Sequence, residues 1–225
     1  MIIITGASRG LGRAICDRLI EKNVDVLGLA RNVGDVPFAS MNCDVSSYES
    51  IKAVTQQLKK NRTKITGLVN AAGIASMNLA VTTSQSVTQK IINTNLLGTI
   101  YCCQLIAPLM IRNKQGSIIN FSTIAVTLGL KGESIYIASK AGVEGFTRSF
   151  AREMADFNVT VNCIAPGPVN TSLLNGITME QINKIVSQQI ISKQFEPTSI
   201  ADLVELFMDS RSNSLSGQVL HVGGV

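Results

Sequence analysis

The chain has 225 residues, of which 45% are apolar, and it carries a formal net charge of +5 at neutral pH. This length suits one α/β domain and provides enough apolar side chains for a large core. No run approaches the roughly 20 unbroken apolar residues of a membrane span, and the first residues lack the basic start and long apolar segment of a signal peptide. We therefore expect a cytoplasmic protein with no membrane partner.

Cysteine and histidine content argues against metal chemistry. The five cysteines show no C-x-x-C spacing, and the chain has one histidine, His221. Scattered thiols suit a reducing compartment, and a transition-metal site needs several clustered ligands, so we expect no metal. The modest positive charge fits solubility or attraction to an acidic ligand, such as a phosphorylated cofactor or an acidic carrier. Nucleic acid is not expected, because no basic run interleaves with aromatic residues.

Apolar runs alternate with segments of helical periodicity along the whole chain. In chain order the pattern predicts strand 2–4, helix 11–22, strand 24–29, strand 39–43, helix 47–60, strand 67–69, helix 85–113, strand 117–121, helix 135–157, strand 159–164, helices 179–190 and 199–209, and strand 218–222. This alternation predicts a single-domain Rossmann-type fold over residues 1–225. It would be a doubly wound parallel sheet of about seven strands with helices on both faces.

A glycine-rich turn joins the first predicted strand to the first predicted helix. Glycines permit a tight turn, and they let backbone N–H groups and the positive helix N-terminus approach a pyrophosphate. A purely structural turn is the alternative, but the position between strand and helix favours a nucleotide site. The candidate phosphate-binding residues are Gly6, Ser8, Arg9, Gly10, Leu11 and Gly12.

Two arginines bear on which dinucleotide binds. Arg9 lies inside the turn, and Arg31 follows the second strand, where an NAD-binding chain usually has an acidic residue for the ribose 2′-hydroxyl. A guanidinium suits a 2′-phosphate through charge-assisted hydrogen bonds. Two solvated surface arginines are the alternative interpretation. Their joint placement favours NADP(H) as the cofactor.

Tyr136 and Lys140 are spaced i, i+4 on a predicted helix, which places both side chains on one face. A nearby ammonium group favours the phenolate, so we expect Lys140 to lower the pKa of Tyr136. A phenol tuned in this way can donate a proton to a carbonyl oxygen as hydride reaches its carbon.

The order of these motifs resembles the short-chain dehydrogenase/reductase family over the whole chain, most closely its 3-oxoacyl-(acyl carrier protein) reductases. The elements that carry the resemblance are Thr5-Gly6-x-x-x-Gly10-x-Gly12, Asp44-Val45, Asn70-Ala71-Ala72-Gly73, Asn95, Tyr136-x-x-x-Lys140, Pro166-Gly167 and the segment 217–224. The resemblance implies an NADPH-dependent reductase that converts a ketone to a secondary alcohol.

The resemblance also implies a role for each site residue. Tyr136 would be the general acid, Lys140 would hold the nicotinamide ribose, and Asn95 would position a water in a proton relay. The cofactor would also contact residues after the third, fourth and sixth strands. Asp44 and Val45 would frame the adenine, Asn70, Ala71 and Gly73 would line the cleft, and Pro166, Gly167, Val169 and Thr171 would seat the nicotinamide. The alternatives are that Asn95 is bonded to backbone and that Thr171 is a helix cap.

One position departs from the family pattern. Where the family has a catalytic serine, this chain has Thr123, preceded by Ser122. Threonine keeps the hydroxyl but adds a methyl that stiffens the side chain and crowds the site. Ser122 on an alternating strand should point to the other face. We therefore assign the serine's place to Thr123.

The substrate is left open by the sequence. Residues 170–195 should form a lid, which the sequence predicts to be polar, and a carrier-linked 3-oxoacyl group is one candidate substrate. Arg112 and Lys114 could receive an acyl carrier protein, although Phe157 stands at a second position where the resemblance implies a basic residue. The alternatives are a small-molecule alcohol, sugar or steroid dehydrogenase, and a cofactor-binding regulatory protein with little turnover.

The residue pattern of the predicted helices 85–113 and 135–157 indicates that the protein associates with itself. Both carry small and apolar residues on more than one face, including Leu97, Ile100, Val143 and Phe146. A helix that is apolar beyond one stripe must bury a second surface. Together with the pairing of these helices in the family, this predicts a homodimer or homotetramer.

Overall fold

The computed structural model describes residues 1–225, and its centre is one sheet of seven parallel strands. The strands are β1 Ile2–Thr5, β2 Val26–Ala30, β3 Ala39–Asn42, β4 Gly67–Asn70, β5 Gly116–Phe121, β6 Val159–Pro166 and β7 Val219–Val222. Their order is β3-β2-β1-β4-β5-β6-β7. The doubly wound parallel sheet predicted from the sequence is confirmed.

Eight α-helices connect and flank the strands. They are α1 Gly10–Glu21, α2 Tyr48–Lys60, α3 Gln85–Ile92, α4 Gly98–Ile111, α5 Ala125–Leu128, α6 Ser134–Ala155, α7 Met179–Val186 and α8 Pro197–Met208. The sequence missed α5, which has four residues and ends at Gly129 with a left-handed φ of 65°. Such a short turn carries no periodic signal.

Each buried strand sends alternate side chains into two separate cores. Ile3, Leu68 and Ile118 pack on one side of the sheet with α2, α4 and α6. Ile2, Ile4, Val69 and Ile119 pack on the other side with α1 and α8. A parallel sheet covered on both faces requires strands that are apolar throughout, which is the pattern that the sequence shows.

The predicted helix 85–113 is interrupted. A π-helical turn, Asn93–Leu97, separates α3 from α4, so the helical path from Gln85 to Ile111 continues with a local widening. This path has the length and apolar composition of a membrane-spanning helix, but half of its most apolar window is buried inside the protein. Cys102, Cys103 and Met110 of α4 are fully buried in the core, which accounts for its apolar character.

A buried polar network ties the centre of the sheet to α6. Asn120 on β5 accepts a hydrogen bond from Asn70 Nδ2 on β4 at 2.8 Å, and its own amide donates to Thr147 Oγ1 on α6 at 2.9 Å. Buried amides need such partners. The network therefore fixes α6 against the carboxyl ends of β4 and β5.

The strand order reverses between β1 and β4. In doubly wound sheets, ligands bind in the crevice at the carboxyl ends of the strands beside such a switch point. The turn Thr5–Gly12 and the segment after Asn70 both lie at this edge.

Candidate active site

A cavity of about 970 Å³ lies along the carboxyl ends of the strands. It collects segments that follow β1 to β6, the first turn of α6 and part of the lid. The predicted site residues that line it are Gly6, Ser8, Arg9, Gly10, Leu11, Gly12, Arg31, Asp44, Val45, Ala71, Gly73, Thr123, Tyr136, Lys140, Pro166, Gly167, Val169 and Thr171. Two predicted site residues, Asn70 and Asn95, stand behind its wall.

The glycine-rich turn is shaped by close backbone contacts. Gly6 and Gly10 have left-handed φ angles of 71° and 59°. A Cβ atom on Gly6 would lie 2.9 Å from the Cα of Ala72, and one on Gly12 would overlap the Gly6 carbonyl. Helix α1 starts at Gly10 with no side chain capping it and no acidic residue in its first turn. Its N–H groups can therefore receive an anion.

Positive charge gathers at one end of the cavity. Arg9 and Arg31 both line it, and neither forms an ion pair with the protein. The neighbouring Arg13 differs, because it binds Asp17 at 2.8 Å and lies over the ring of Phe38. Two free guanidinium groups beside a phosphate-type turn suit a ligand with a further phosphate.

The wall after β3 is held by local hydrogen bonds. Asp44 Oδ1 accepts hydrogen bonds from the backbone and the hydroxyl of Ser46, at 2.9 and 2.7 Å. Val45 packs so close to Gly98 that a Cβ there would lie 3.0 Å from the valine side chain. These contacts fix the two residues that the resemblance assigned to an adenine.

Tyr136 and Lys140 lie at the start of α6 and both are buried. The Lys140 Nζ atom is 6.0 Å from the centre of the Tyr136 ring and donates a hydrogen bond to the carbonyl oxygen of Phe121 at 2.8 Å. The i, i+4 spacing therefore brings both groups to one face, as the sequence indicates, and the end of β5 fixes the ammonium group.

Burial shifts the pKa values of both Tyr136 and Lys140. It lowers the pKa of Lys140 to about 8, because the charged ammonium loses its water. Burial also raises the pKa of Tyr136, and the nearby Glu133 carboxylate raises it further, while the neighbouring Thr123 hydroxyl lowers it. The predicted direction for Tyr136 is wrong, since desolvation of the phenolate outweighs the other effects. The phenol keeps its proton until a reaction removes it.

The two hydroxyl residues after β5 point in different directions. Thr123 lies close enough to the Tyr136 phenol to lower its pKa, and its Oγ1 accepts a hydrogen bond from the Ala125 N–H at 3.2 Å. The Ser122 hydroxyl instead donates to Glu144 on α6 at 2.7 Å. The expectation that Ser122 points away is confirmed, and Thr123 is the hydroxyl beside the tyrosine.

Asn95 supports the site from behind. Its amide exchanges two hydrogen bonds with the backbone of Ile74, both at 2.9 Å, and also donates to Ser139 Oγ at 3.1 Å. A Cβ on Gly73 would lie 3.4 Å from Asn95 Oδ1 and 3.6 Å from Lys140 Nζ. The side chain is thus fully used in holding the loop after β4, which matches the alternative of a backbone-bonded residue. Asn70 is likewise turned inward, to Asn120.

The lid presents mainly hydrophobic side chains to the cavity, although the segment 170–195 is polar in overall composition. The hydrophobic side chains that face the cavity are Leu173, Leu174, Ile177, Ile182 and Ile185. Gln181 is used in the capping box of α7, and Gln189 is buried against Gly167. Thr171 lines the cavity, and its side chain also caps the turn Ser172–Leu174.

Arg112 and Lys114 do not flank this cavity. They follow α4 and precede β5, and Lys114 lines a small groove with Ile2, Thr66 and Asn158 at the amino ends of the strands. Within one chain, Arg112 and Lys114 therefore do not contribute to a basic patch at the site entrance. Parallel strands place these residues and the cavity at opposite edges of the sheet.

The sequence interpretation missed Glu133. It lies three residues before Tyr136, lines the cavity and is 8% exposed. No side chain or backbone group of the protein donates a hydrogen bond to its carboxylate or pairs with it. Burial raises its pKa. The i, i+3 spacing was the only available signal, since such residues share a helix face.

Comparison with known proteins identifies the family. Residues 1–182 match the model of the short chain dehydrogenases. The chain belongs to the short-chain dehydrogenase family. The chain is 34% identical to the 3-oxoacyl-(acyl-carrier-protein) reductase FabG of Vibrio harveyi, over 99% of this chain and 95% of that protein.

Solved structures of family members superpose closely on this chain. ElxO with NADP bound is 25% identical with a TM-score of 0.88, covering 98% of this chain and 96% of that one. A 4-hydroxyisoleucine dehydrogenase complexed with NADH is 26% identical with a TM-score of 0.90, covering 99% and 97%. The protein is therefore an oxidoreductase of the kind that binds a nicotinamide cofactor and acts on a ketone or an alcohol.

The buried ammonium group predicts a distinctive pH dependence of stability. Lys140 releases its proton near pH 8 in the folded protein and near 10.5 when unfolded. Burying the charge thus destabilises the fold below pH 8, and this penalty disappears as the pH rises to 10.5. The wild type should gain up to about 3 kcal/mol of unfolding free energy relative to Lys140→Met across this range. Urea unfolding of both proteins measures the difference.

A matched variant separates this effect from general alkaline destabilisation. Lys184 is exposed on α7, and Lys184→Met should show a constant difference from the wild type across the same pH range. A Lys140→Met difference that is equally flat would contradict the lowered pKa of Lys140.

Proposed function

We propose that this protein reduces a ketone to a secondary alcohol with NADPH, and that Tyr136 donates the proton. The observation that carries the proposal is the shared cavity. Tyr136, Lys140 and Thr123 line the same space as the glycine-rich turn and the two unpaired arginines. A proton donor and a dinucleotide site are therefore within reach of one substrate.

The residues of the cavity fit a phosphorylated dinucleotide. The turn Gly6–Gly12 would hold the pyrophosphate, Arg9 and Arg31 the 2′-phosphate, and Asp44 with Val45 the adenine. Pro166, Gly167, Val169 and Thr171 would seat the nicotinamide, which supplies hydride when bound. Lys140 has two N–H donors left after bonding Phe121, and these are available for ribose hydroxyls.

The chemistry needs a protonated phenol at the start. The raised pKa of Tyr136 keeps its proton at neutral pH, so the phenol can donate it to the substrate oxygen. Thr123, which lines the cavity near the same phenol, would donate a hydrogen bond to that oxygen. The phenolate left behind is favoured by the nearby Lys140 ammonium, since opposite charges stabilise each other strongly in a buried site.

Two classes of ketone are candidate substrates of this site. The Vibrio harveyi relative is named for 3-oxoacyl groups on an acyl carrier protein, and the apolar lid could accept an acyl chain. Small hydroxylated ketones are the second class, favoured by the name of the 4-hydroxyisoleucine dehydrogenase and by the carboxylate of Glu133. A cofactor-binding protein without turnover is the outcome expected if neither class is reduced while NADPH binds.

Replacing the phenol tests the proton donor. Tyr136→Phe should lower kcat for ketone reduction by roughly 10²–10⁴-fold, which is the usual contribution of a general acid. The dissociation constant for NADPH should change little, because the variant removes one oxygen atom at the substrate end. Steady-state kinetics and fluorescence titration with NADPH measure the two effects. Full turnover in Tyr136→Phe would exclude the mechanism.

Thr123 provides a paired control. Thr123→Ser keeps the hydroxyl and should retain or increase the activity, whereas Thr123→Val keeps the shape without the hydroxyl and should lower it. Equal activity of the two variants would show that this hydroxyl does not contact the substrate oxygen.

Charge reversal at Arg31, directly after β2, tests the preference for NADPH over NADH. NADPH should bind more tightly than NADH to the wild type, because Arg9 and Arg31 are unpaired and the position directly after β2 holds Arg31 and not a carboxylate. Arg31→Asp should narrow or reverse this preference, while Arg62→Asp, on an exposed turn outside the cavity, should leave it unchanged. Equal dissociation constants for the two cofactors in the wild type would refute the assignment.

We also propose a homodimer or homotetramer built on α4 and α6. Leu97 in the π-helical turn, Ile100 on α4 and Phe146 on α6 remain partly exposed, although both helices already contribute to the core. The second apolar surface needs a partner. Light scattering at micromolar concentration should give the mass of a dimer or tetramer, and a monomer mass would contradict this.

A further inference from the structure

Glu133 is a largely buried residue whose carboxylate faces the cavity and has no donor within the protein. The residue is 8% exposed, it lines the cavity, and neither a hydrogen bond nor an ion pair reaches its side chain. Carboxylates of largely buried residues are normally paired within the protein, because burial removes part of their hydration. Glu144, a buried glutamate within α6 itself, follows this rule and binds both Ser122 and Arg148.

The Glu133 carboxylate has no structural role in the fold that would account for its presence. Glu133 precedes α6 at the capping position, yet its side chain makes no capping hydrogen bond. Its backbone does the structural work instead, since its carbonyl accepts a hydrogen bond from Ile137 N and its N–H donates to Leu130. The helix N-terminus favours a negative charge in a general way but leaves both carboxylate oxygens without a donor.

The position of Glu133 relates it to the reacting group. Residues three apart on a helix share a face with Cβ atoms about 5–6 Å apart, so Glu133 and Tyr136 flank the same part of the cavity. Their charges interact, because the Glu133 carboxylate is one of the causes that raise the pKa of Tyr136. A substrate whose carbonyl meets the phenol thus presents its adjacent carbons to the carboxylate.

We propose that Glu133 is a specificity-determining residue whose carboxylate accepts a hydrogen bond from a hydroxyl or ammonium group next to the substrate carbonyl. This inference rests on the proposed ketone reduction and names its substrate class. The preferred substrate is a small hydroxy or amino ketone. A 3-oxoacyl thioester offers only a second carbonyl oxygen at that place, and two acceptors repel each other.

The apolar lid is consistent with this selection. Leu173, Leu174 and Ile185 give this part of the cavity wall an apolar lining, and a hydrogen bond to a charged acceptor is stronger beside apolar surface than in open water. A site built to bind a hydroxyl also rejects an analogue that lacks it, because its buried polar group is then left unpaired. The carboxylate therefore favours the hydroxy or amino ketone and disfavours the analogue that has an apolar group in that place.

A matched pair of ketones tests the proposal. In 1-hydroxy-2-butanone and 3-pentanone, a hydroxyl in the first replaces a methyl in the second, beside the same carbonyl. The ratio of their kcat/KM values with NADPH should be roughly 10- to 100-fold larger in the wild type than in Glu133→Leu, which is the range for a hydrogen bond to a charged group. Comparing variants removes the intrinsic difference in reactivity between the two ketones.

Two further variants define the effect. Glu133→Gln keeps an acceptor oxygen without the charge and should give an intermediate ratio. Glu180→Gln changes an exposed glutamate of α7 that does not line the cavity, and should give the wild-type ratio. The dissociation constant for NADPH should be unchanged in all three variants, which shows that the fold and the cofactor site are intact.

The outcomes are distinct. If both ketones are reduced and Glu133→Leu leaves the ratio unchanged, the proposed role of Glu133 is overturned while the proposed function stands. A wild type that prefers the N-acetylcysteamine thioester of acetoacetate over the hydroxy ketone also overturns it. If no ketone is reduced while NADPH binds, the proposed function fails and this inference fails with it.

Discussion

The site depends on a buried ammonium group. Lys140 is removed from water on α6, and the Phe121 carbonyl at the end of β5 provides its hydrogen-bond acceptor. Gly73 leaves room beside it, and Asn95 holds the loop that carries Gly73. The cost of burying the charge appears as a lowered pKa, and the benefit would be a cation held beside the phenol when the proton leaves it. Sheet, helix and loop meet at this one group.

The other half of the site, the glycine-rich turn before α1, is shaped by backbone geometry. The turn at Gly6 and Gly12 leaves no space for side chains, so α1 starts directly against the sheet and presents its N–H groups to the cavity. The strand order reverses beside this turn, which opens the crevice in which a dinucleotide would lie. An anion site and a proton donor are therefore placed at one edge by the same topology.

Much of this arrangement could be predicted from residue patterns. Alternating apolar runs predicted the seven strands, and the spacing of Tyr136 and Lys140 predicted their common face. Features set by three-dimensional surroundings could not be predicted. Desolvation decides the direction of the pKa shift of Tyr136. The way in which the lid segment packs decides which of its side chains line the cavity. Glu133 was missed because a lone carboxylate becomes informative only when its burial and its lack of a donor are known.

The central claim is that this cavity transfers hydride from NADPH to a ketone carbon while the protein supplies the proton. Reduction of a ketone with NADPH that carries deuterium at both C4 positions tests it directly, with mass spectrometry locating the label in the product. The account predicts one deuterium on the carbinol carbon and none on the hydroxyl oxygen after exchange in ordinary water. An alcohol without deuterium on that carbon, or no alcohol at all with every ketone class tried, would contradict it.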